Sequence, residues 1–248
     1  MARSQKSNSG KGKTNKNGIP YINDVNEKDF CDNKTIKIVP RNQRQKEALE
    51  SLNNNHCTFL IGGVGGGKTH LAVSFALQQL IEKKVKNIIL LRPATVHHRE
   101  QLGFLKGDMQ EKIAPLVAPM RIIAEKSLGK EGYARLEESG AIQAYSLAHF
   151  EGHTCESSIV ILDEFQNTES ELLYTVLTRI TDDSKVIIMG DIGQCKLRDK
   201  LKSAFHDIDE LLTEVDSLGI VEFLDSDIVR GKFTKAIAQA YKKRAVND

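Results

Sequence analysis

Residues 62–69, Gly62-Gly63-Val64-Gly65-Gly66-Gly67-Lys68-Thr69, carry the most specific chemistry in this 248-residue chain: a complete G-x-x-x-x-G-K-[ST] loop. Glycines let the backbone curl so that successive N–H groups point inward at phosphate oxygens. The N-terminus of a following helix adds the positive end of its dipole. Residue types assign the remaining roles. Gly62, Gly63, Val64, Gly65, Gly66 and Gly67 cradle the phosphates, Lys68 reaches the β- and γ-phosphates, and the Thr69 hydroxyl ligates Mg²⁺. The rival G-x-G-x-x-G fingerprint of NAD and FAD sites fits no register of residues 62–70. Val64, Lys68 or His70 always falls where a glycine is required.

Two further places set polar groups just past apolar runs. Ile159-Val160-Ile161-Leu162 delivers Asp163-Glu164, and Val186-Ile187-Ile188-Met189 delivers Gly190-Asp191 with Gln194 shortly after. As buried strands, both runs would present these groups at the carboxyl edge of a sheet, where α/β proteins bind ligands. There Asp163 would hold the Mg²⁺ shell and Glu164 would orient or deprotonate an attacking water. Gln194 would hydrogen-bond the γ-phosphate or that water.

Such groups need strands to hold them. Cys57-Thr58-Phe59-Leu60-Ile61 reads as the buried strand before the loop. Leu71, Ala72, Phe75, Ala76, Leu77, Leu80 and Ile81 recur at helical spacing after it. Further strands are expected over 86–91, 141–145, 158–162, 185–189 and 220–223, with 35–39 as an edge strand ending at Pro40. Helices are expected over 41–53, 169–180, 204–215 and 233–244, with helical segments after a polar loop at 102–108 and up to about 138. Continuous apolar strands alternating with helices predict an α/β fold: a mostly parallel sheet with helices on both faces.

The length suits one α/β domain over residues 19–248 and is too short for two full nucleotide-binding domains. Net charge is +2, unevenly spread. Arg3, Lys6, Lys11, Lys13 and Lys16 stand in residues 1–18 with no acid, leaving 30 basic residues against 33 acidic, a balance of −3. That segment reads as a disordered basic tail. Cys31, Cys57, Cys155 and Cys195 form no C-x-x-C pair, so neither a disulfide framework nor a zinc site is expected. No apolar stretch approaches the length of a membrane span, and the expected location is the cytoplasm.

Taken in order, these motifs resemble the PhoH family, P-loop ATPases related to superfamily 1 helicases. The resemblance runs through Asn42-Gln43, the loop at 62–69, Arg92-Pro93-Ala94, Leu102-Gly103-Phe104-Leu105 and Gly107-Asp108. It continues through Gln110-Glu111-Lys112, Leu162-Asp163-Glu164 with Gln166-Asn167, Leu177-Thr178-Arg179, Gly190-Asp191 with Gln194, and Asp227-Ile228-Val229-Arg230. It implies a RecA-like P-loop NTPase that binds and hydrolyses ATP, with RNA or single-stranded nucleic acid as a partner and a homo-oligomeric ring, of six subunits, as the assembly. It further implies that Gln43 reads adenine and that Arg92 lies near a nucleic-acid path. Arg230 would approach the nucleotide of its own or of a neighbouring subunit. Gly63 and Gly66 depart from the family's usual Pro and Thr, which implies a more flexible loop. Phe165 replaces the usual Ala, and Cys195-Lys196 an acidic-apolar pair.

Overall fold

In a computed structural model, which describes residues 35–93, 109–150, 152, 154–197, 199–234, 236, 237 and 240, the apolar runs become six strands. They are β1 (Cys57–Gly62), β2 (Asn87–Arg92), β3 (Ile142–Ser146), β4 (Ser158–Leu162), β5 (Lys185–Gly190) and β6 (Leu218–Phe223). Their order in the sheet is β3-β2-β4-β5-β1-β6, and all five pairings are parallel.

Period-two alternation explains why the central strands carry no polar side. In β4, Ile159 and Ile161 enter one apolar cluster while Val160 and Leu162 enter the other, and all four are fully buried. Each such side chain contributes roughly 1.5–3 kcal/mol by leaving water. The first cluster is covered by α1 (Gln43–Asn54), α2 (Lys68–Ile81), α3 (Met109–Leu128) and α4 (Lys130–Glu138). The second is covered by α5 (Ser170–Leu177) and α6 (Ile208–Glu214).

Register aligns the chemistry. Ile61 of β1 pairs with Gly190 of β5, Leu162 of β4 with Ile188 of β5, and Leu91 of β2 with Leu162 of β4. The glycine loop, Asp163-Glu164, Asp191 and Arg92 therefore emerge side by side at one sheet edge.

Several boundaries differ from expectation. Residues 35–39 form no strand: the described sheet ends at β3 and β6, and Ile36 and Ile38 instead pack against the helix-covered core beside exposed Val39. β6 begins two residues before the expected 220, and Gly219 within it obscures the strand pattern. A Cβ there would lie 2.2 Å from Ser51 Oγ of α1, so the glycine marks a close helix–strand approach. The helical stretch to 138 divides at Gly129, whose φ of 79° ends α3. The expected 204–215 helix opens as a 3-10 turn over Ala204–Asp207. Helical backbone occurs at 232–234, 236, 237 and 240, within the expected last helix. The basic tail, the 102–108 loop and Ala94 lie outside the described residues. No helix among those described is long and apolar enough to cross a membrane.

Candidate functional site

The loop between β1 and α2 is shaped by where its carbonyls go. Gly62 and Gly67 have φ of 121° and 86°, a region open to glycine at little cost, and a Cβ at Gly62 would sit 2.1 Å from the Phe223 carbonyl oxygen. Lys68 Nζ donates to the carbonyls of Gly62 and Gly63, at 2.6 and 2.8 Å. Val229 N donates to the Gly65 carbonyl at 3.1 Å and Gln45 Nε2 to that of Gly66 at 2.8 Å. With the carbonyls of Gly62, Gly63, Gly65 and Gly66 drawn to these donors, the opposed N–H groups of the planar peptides turn the other way. Gly67 caps α2 without a side-chain bond, and the first turn of α2 holds no acid, so its positive end stays available for an anion.

The departure at Gly66 has a packing cause. A Cβ at this position would lie 2.7 Å from Phe223 Cδ1, so the aromatic ring of β6 occupies the space of the family's usual side chain and supports the loop from below. Gly66→Ala is expected to lower stability by about 1–3 kcal/mol through overpacking, and Phe223→Leu as a second change should recover part of that loss. Urea unfolding of the single and double variants checks it; additive losses would count against the contact.

Across the edge, the acidic groups form a connected network. Glu164 has φ 58°, an uncommon left-handed conformation for a non-glycine residue that costs about 1–3 kcal/mol. It is held there by its N–H to Asp163 Oδ1 at 3.0 Å and by Asn167 N on its carbonyl at 2.9 Å. Arg92 Nη2 donates to Glu164 Oε1 at 3.0 Å, and Gln166 Nε2 to Glu164 Oε2 at 2.7 Å. Gln166 Oε1 in turn accepts from Asp191 N at 3.0 Å, and Gln194 Nε2 donates to Asp191 Oδ2 at 2.8 Å.

Burial and charge oppose one another here. Burial pushes the Asp163 carboxyl above the usual aspartate range, against the pull of the Arg92 guanidinium. Acidification therefore neutralises Asp163 earlier than an ordinary aspartate. Burial also lowers the Lys68 ammonium, opposed by Asp191, Asp163 and Glu164. The Asp163 carboxylate and the Thr69 hydroxyl face the same cavity. That set suits Mg²⁺, which keeps waters and phosphate oxygens as ligands instead of demanding a protein cage. Among the described residues no group of three or more His, Cys, Asp or Glu could hold a metal by itself.

Most of the expected site residues converge. Lys68, Thr69, Asp163, Glu164, Gln194 and Arg230 line one cavity of about 480 Å³ together with Val64, Gly65 and Gly67. Arg230 lies beside the loop of its own chain: its Cδ is 3.7 Å from where a Gly65 Cβ would stand. Arg92 lines the same cavity and is bonded to Glu164, because β2 lies next to β4 and places Arg92 level with the acidic pair. Gln43 stands apart. It is exposed and bonds Glu47, because α1 buries the face carrying Gln45, Ala48 and Leu52, about 200° around from position 43 at 100° per residue.

Gln45 and Gln166 are the residues that sequence reasoning missed. Gln45 stands at an inward position of an apolar helical stripe, an available signal. Gln166 enters the sequence reading only as part of a motif; its 1% exposure and its two-sided amide contact are visible in three dimensions alone.

Comparison with known proteins matches residues 37–242 to the family model described as PhoH-like protein. The chain is 36% identical to a PhoH-like protein of Bacillus subtilis (strain 168) over 232 residues, covering 92% of this chain and 72% of that protein. It is 35% identical to Protein PhoH of Escherichia coli (strain K12) over 209 residues, 84% of this chain and 59% of that protein. Several of the curated relatives are thus matched over about three fifths of their length. Among solved structures, the large terminase of a thermophilic bacteriophage superposes with a TM-score of 0.50 at 12% identity, over 81% of this chain and 50% of that one, a likeness of fold.

Proposed function

The chain belongs to the PhoH-like protein family, and from that premise we propose that it binds ATP with Mg²⁺ and hydrolyses the γ-phosphate, with RNA or single-stranded nucleic acid as its partner. The observation that carries this reading is the cavity shared by Lys68 and Thr69 of the loop and by Asp163 and Glu164 at the end of β4. A phosphate cradle alone would serve binding; a carboxylate at the same cavity adds a base for water. Thr69 and Asp163 would hold Mg²⁺, which neutralises phosphate charge when bound. Lys68 leaves the Gly62 and Gly63 carbonyls for the β- and γ-phosphates, and Glu164 takes a proton from the attacking water. Gln194 orients that water from its place on Asp191.

The alternative is a nucleotide-gated switch with slow hydrolysis, and the two donors already placed on Glu164 favour it. ATP turnover measured with and without RNA separates the two. Stimulated turnover supports the ATPase; ATP-dependent partner capture with negligible turnover supports the switch. Activity in neither assay removes both.

Arg230 belongs to the same reading. Its position beside Gly65 supports action on its own chain's nucleotide. Arg230→Ala is expected to leave ATP binding intact while reducing turnover on the order of 10³-fold, as arginines at transferring phosphates do. The ring of six remains part of the proposal and is tested by solution mass with and without ATP. Mixing Arg230→Ala with Glu164→Gln subunits should restore nothing; rescue on mixing would show that the arginine serves a neighbour.

A further inference from the structure

Arg92 spans two parts of the fold that no strand joins. Its Nη2 donates to Glu164 Oε1 at 3.0 Å, and its Nη1 donates to the Leu116 carbonyl of α3 at 2.7 Å. Leu116 lies between Pro115 and Pro119, neither of which has an N–H to give the helix ladder. The guanidinium thus ties a carbonyl in the weakened stretch of α3 to the acidic residue that follows β4.

We propose that Arg92 is a positioning residue that couples helix α3 to Glu164: it restrains Glu164 while α3 holds its present place, and releases Glu164 when α3 shifts. The proposal rests on the reading of Glu164 as the base that activates water. Both carboxylate oxygens of Glu164 already carry a donor, so a water approaching Glu164 must compete with Arg92 and Gln166 for them. The two donors differ in how readily they leave. Gln166 is buried and fixed by Asp191 N, whereas the side chains of Arg92 and Glu164 are 23% and 29% exposed, so water can replace their bond. The release also has a trigger surface. Pro119, Ile122 and Ile123 of α3 form a wall of the same cavity as Lys68 and Thr69, so whatever fills the cavity meets the helix that holds Arg92. A planar fork can serve both ends at once; a lysine in its place would reach one.

The test compares ATP turnover and amide hydrogen exchange in the full chain for wild type, Arg92→Gln, Arg92→Lys, Glu164→Gln and the double variant Arg92→Gln/Glu164→Gln. Arg92→Gln should raise turnover without RNA by roughly two- to fivefold, the range that a partly exposed ion pair can hold back. A purely structural arginine would give no increase. The double variant should be as inactive as Glu164→Gln, showing that the gain runs through Glu164, and Arg92→Lys should fall between wild type and Arg92→Gln. Exchange across residues 113–128 should rise in both Arg92→Gln and Glu164→Gln, although Glu164 itself is not part of α3. Turnover that falls or stays level in Arg92→Gln overturns the proposal. If wild type shows no turnover at all, the ATPase reading fails separately. The coupling then stands or falls on exchange alone: an α3 unaffected by Glu164→Gln overturns it.

Discussion

Lys68→Ala is expected to lower ATP turnover by about 10²–10³-fold or more, the loss typical of removing one donor aimed at developing charge, while the protein should melt almost as before. Lys68 Nζ donates to the loop carbonyls of Gly62 and Gly63, and both can be solvated at the cavity mouth. Loss of such bonds costs on the order of 1 kcal/mol. Function depends on the charge far more. Asp191, Asp163 and Glu164 all act on Lys68, and without its ammonium three carboxylates would face an incoming triphosphate. ATP affinity should therefore fall together with turnover. Phosphate release and a thermal melt on the same preparation decide it; near wild-type turnover would remove the loop from the chemistry.

Glu164→Gln is expected to retain ATP and Mg²⁺ while turnover falls about 10²–10⁴-fold, the usual contribution of a positioned general base. The amide keeps the size of the side chain and loses its basicity. It also creates a local conflict. Arg92 Nη2 and Gln166 Nε2 each donate to one carboxylate oxygen, so an amide NH₂ must face one of those donors. Gln166 cannot relieve this by turning over, because its Oε1 accepts from Asp191 N. A stability loss on the order of 1 kcal/mol should accompany the kinetic effect. Single-turnover hydrolysis with bound nucleotide measured in parallel provides the check. An unchanged rate with ATP bound would pass the role of base to Asp163.

Local chemistry accounts for how much of this was legible beforehand. The loop at 62–69 could be read because its glycines, lysine and threonine are contiguous and each acts through its own type. Asp163 and Glu164 could be read because an uninterrupted apolar run is long enough for a strand and must end at a sheet edge. β4 and β5 are buried on both faces, so their composition alone marks them, and the parallel α/β architecture follows from that composition.

What only the tertiary structure decided is which neighbours those residues have. Strand order sets β2 beside β4, and that adjacency turns Arg92 onto Glu164 across 72 residues of chain. The phase of α1 sends Gln45 to the loop and leaves Gln43 in solvent. The meeting of β1 and β6 brings Phe223 under Gly66, and the turn after β4 lets buried Gln166 bind Glu164 and Asp191 at once. Residue type and spacing determine what a group can do. Whether a cation, an amide or water lies against it depends on contacts distant in sequence, and no local pattern encodes them.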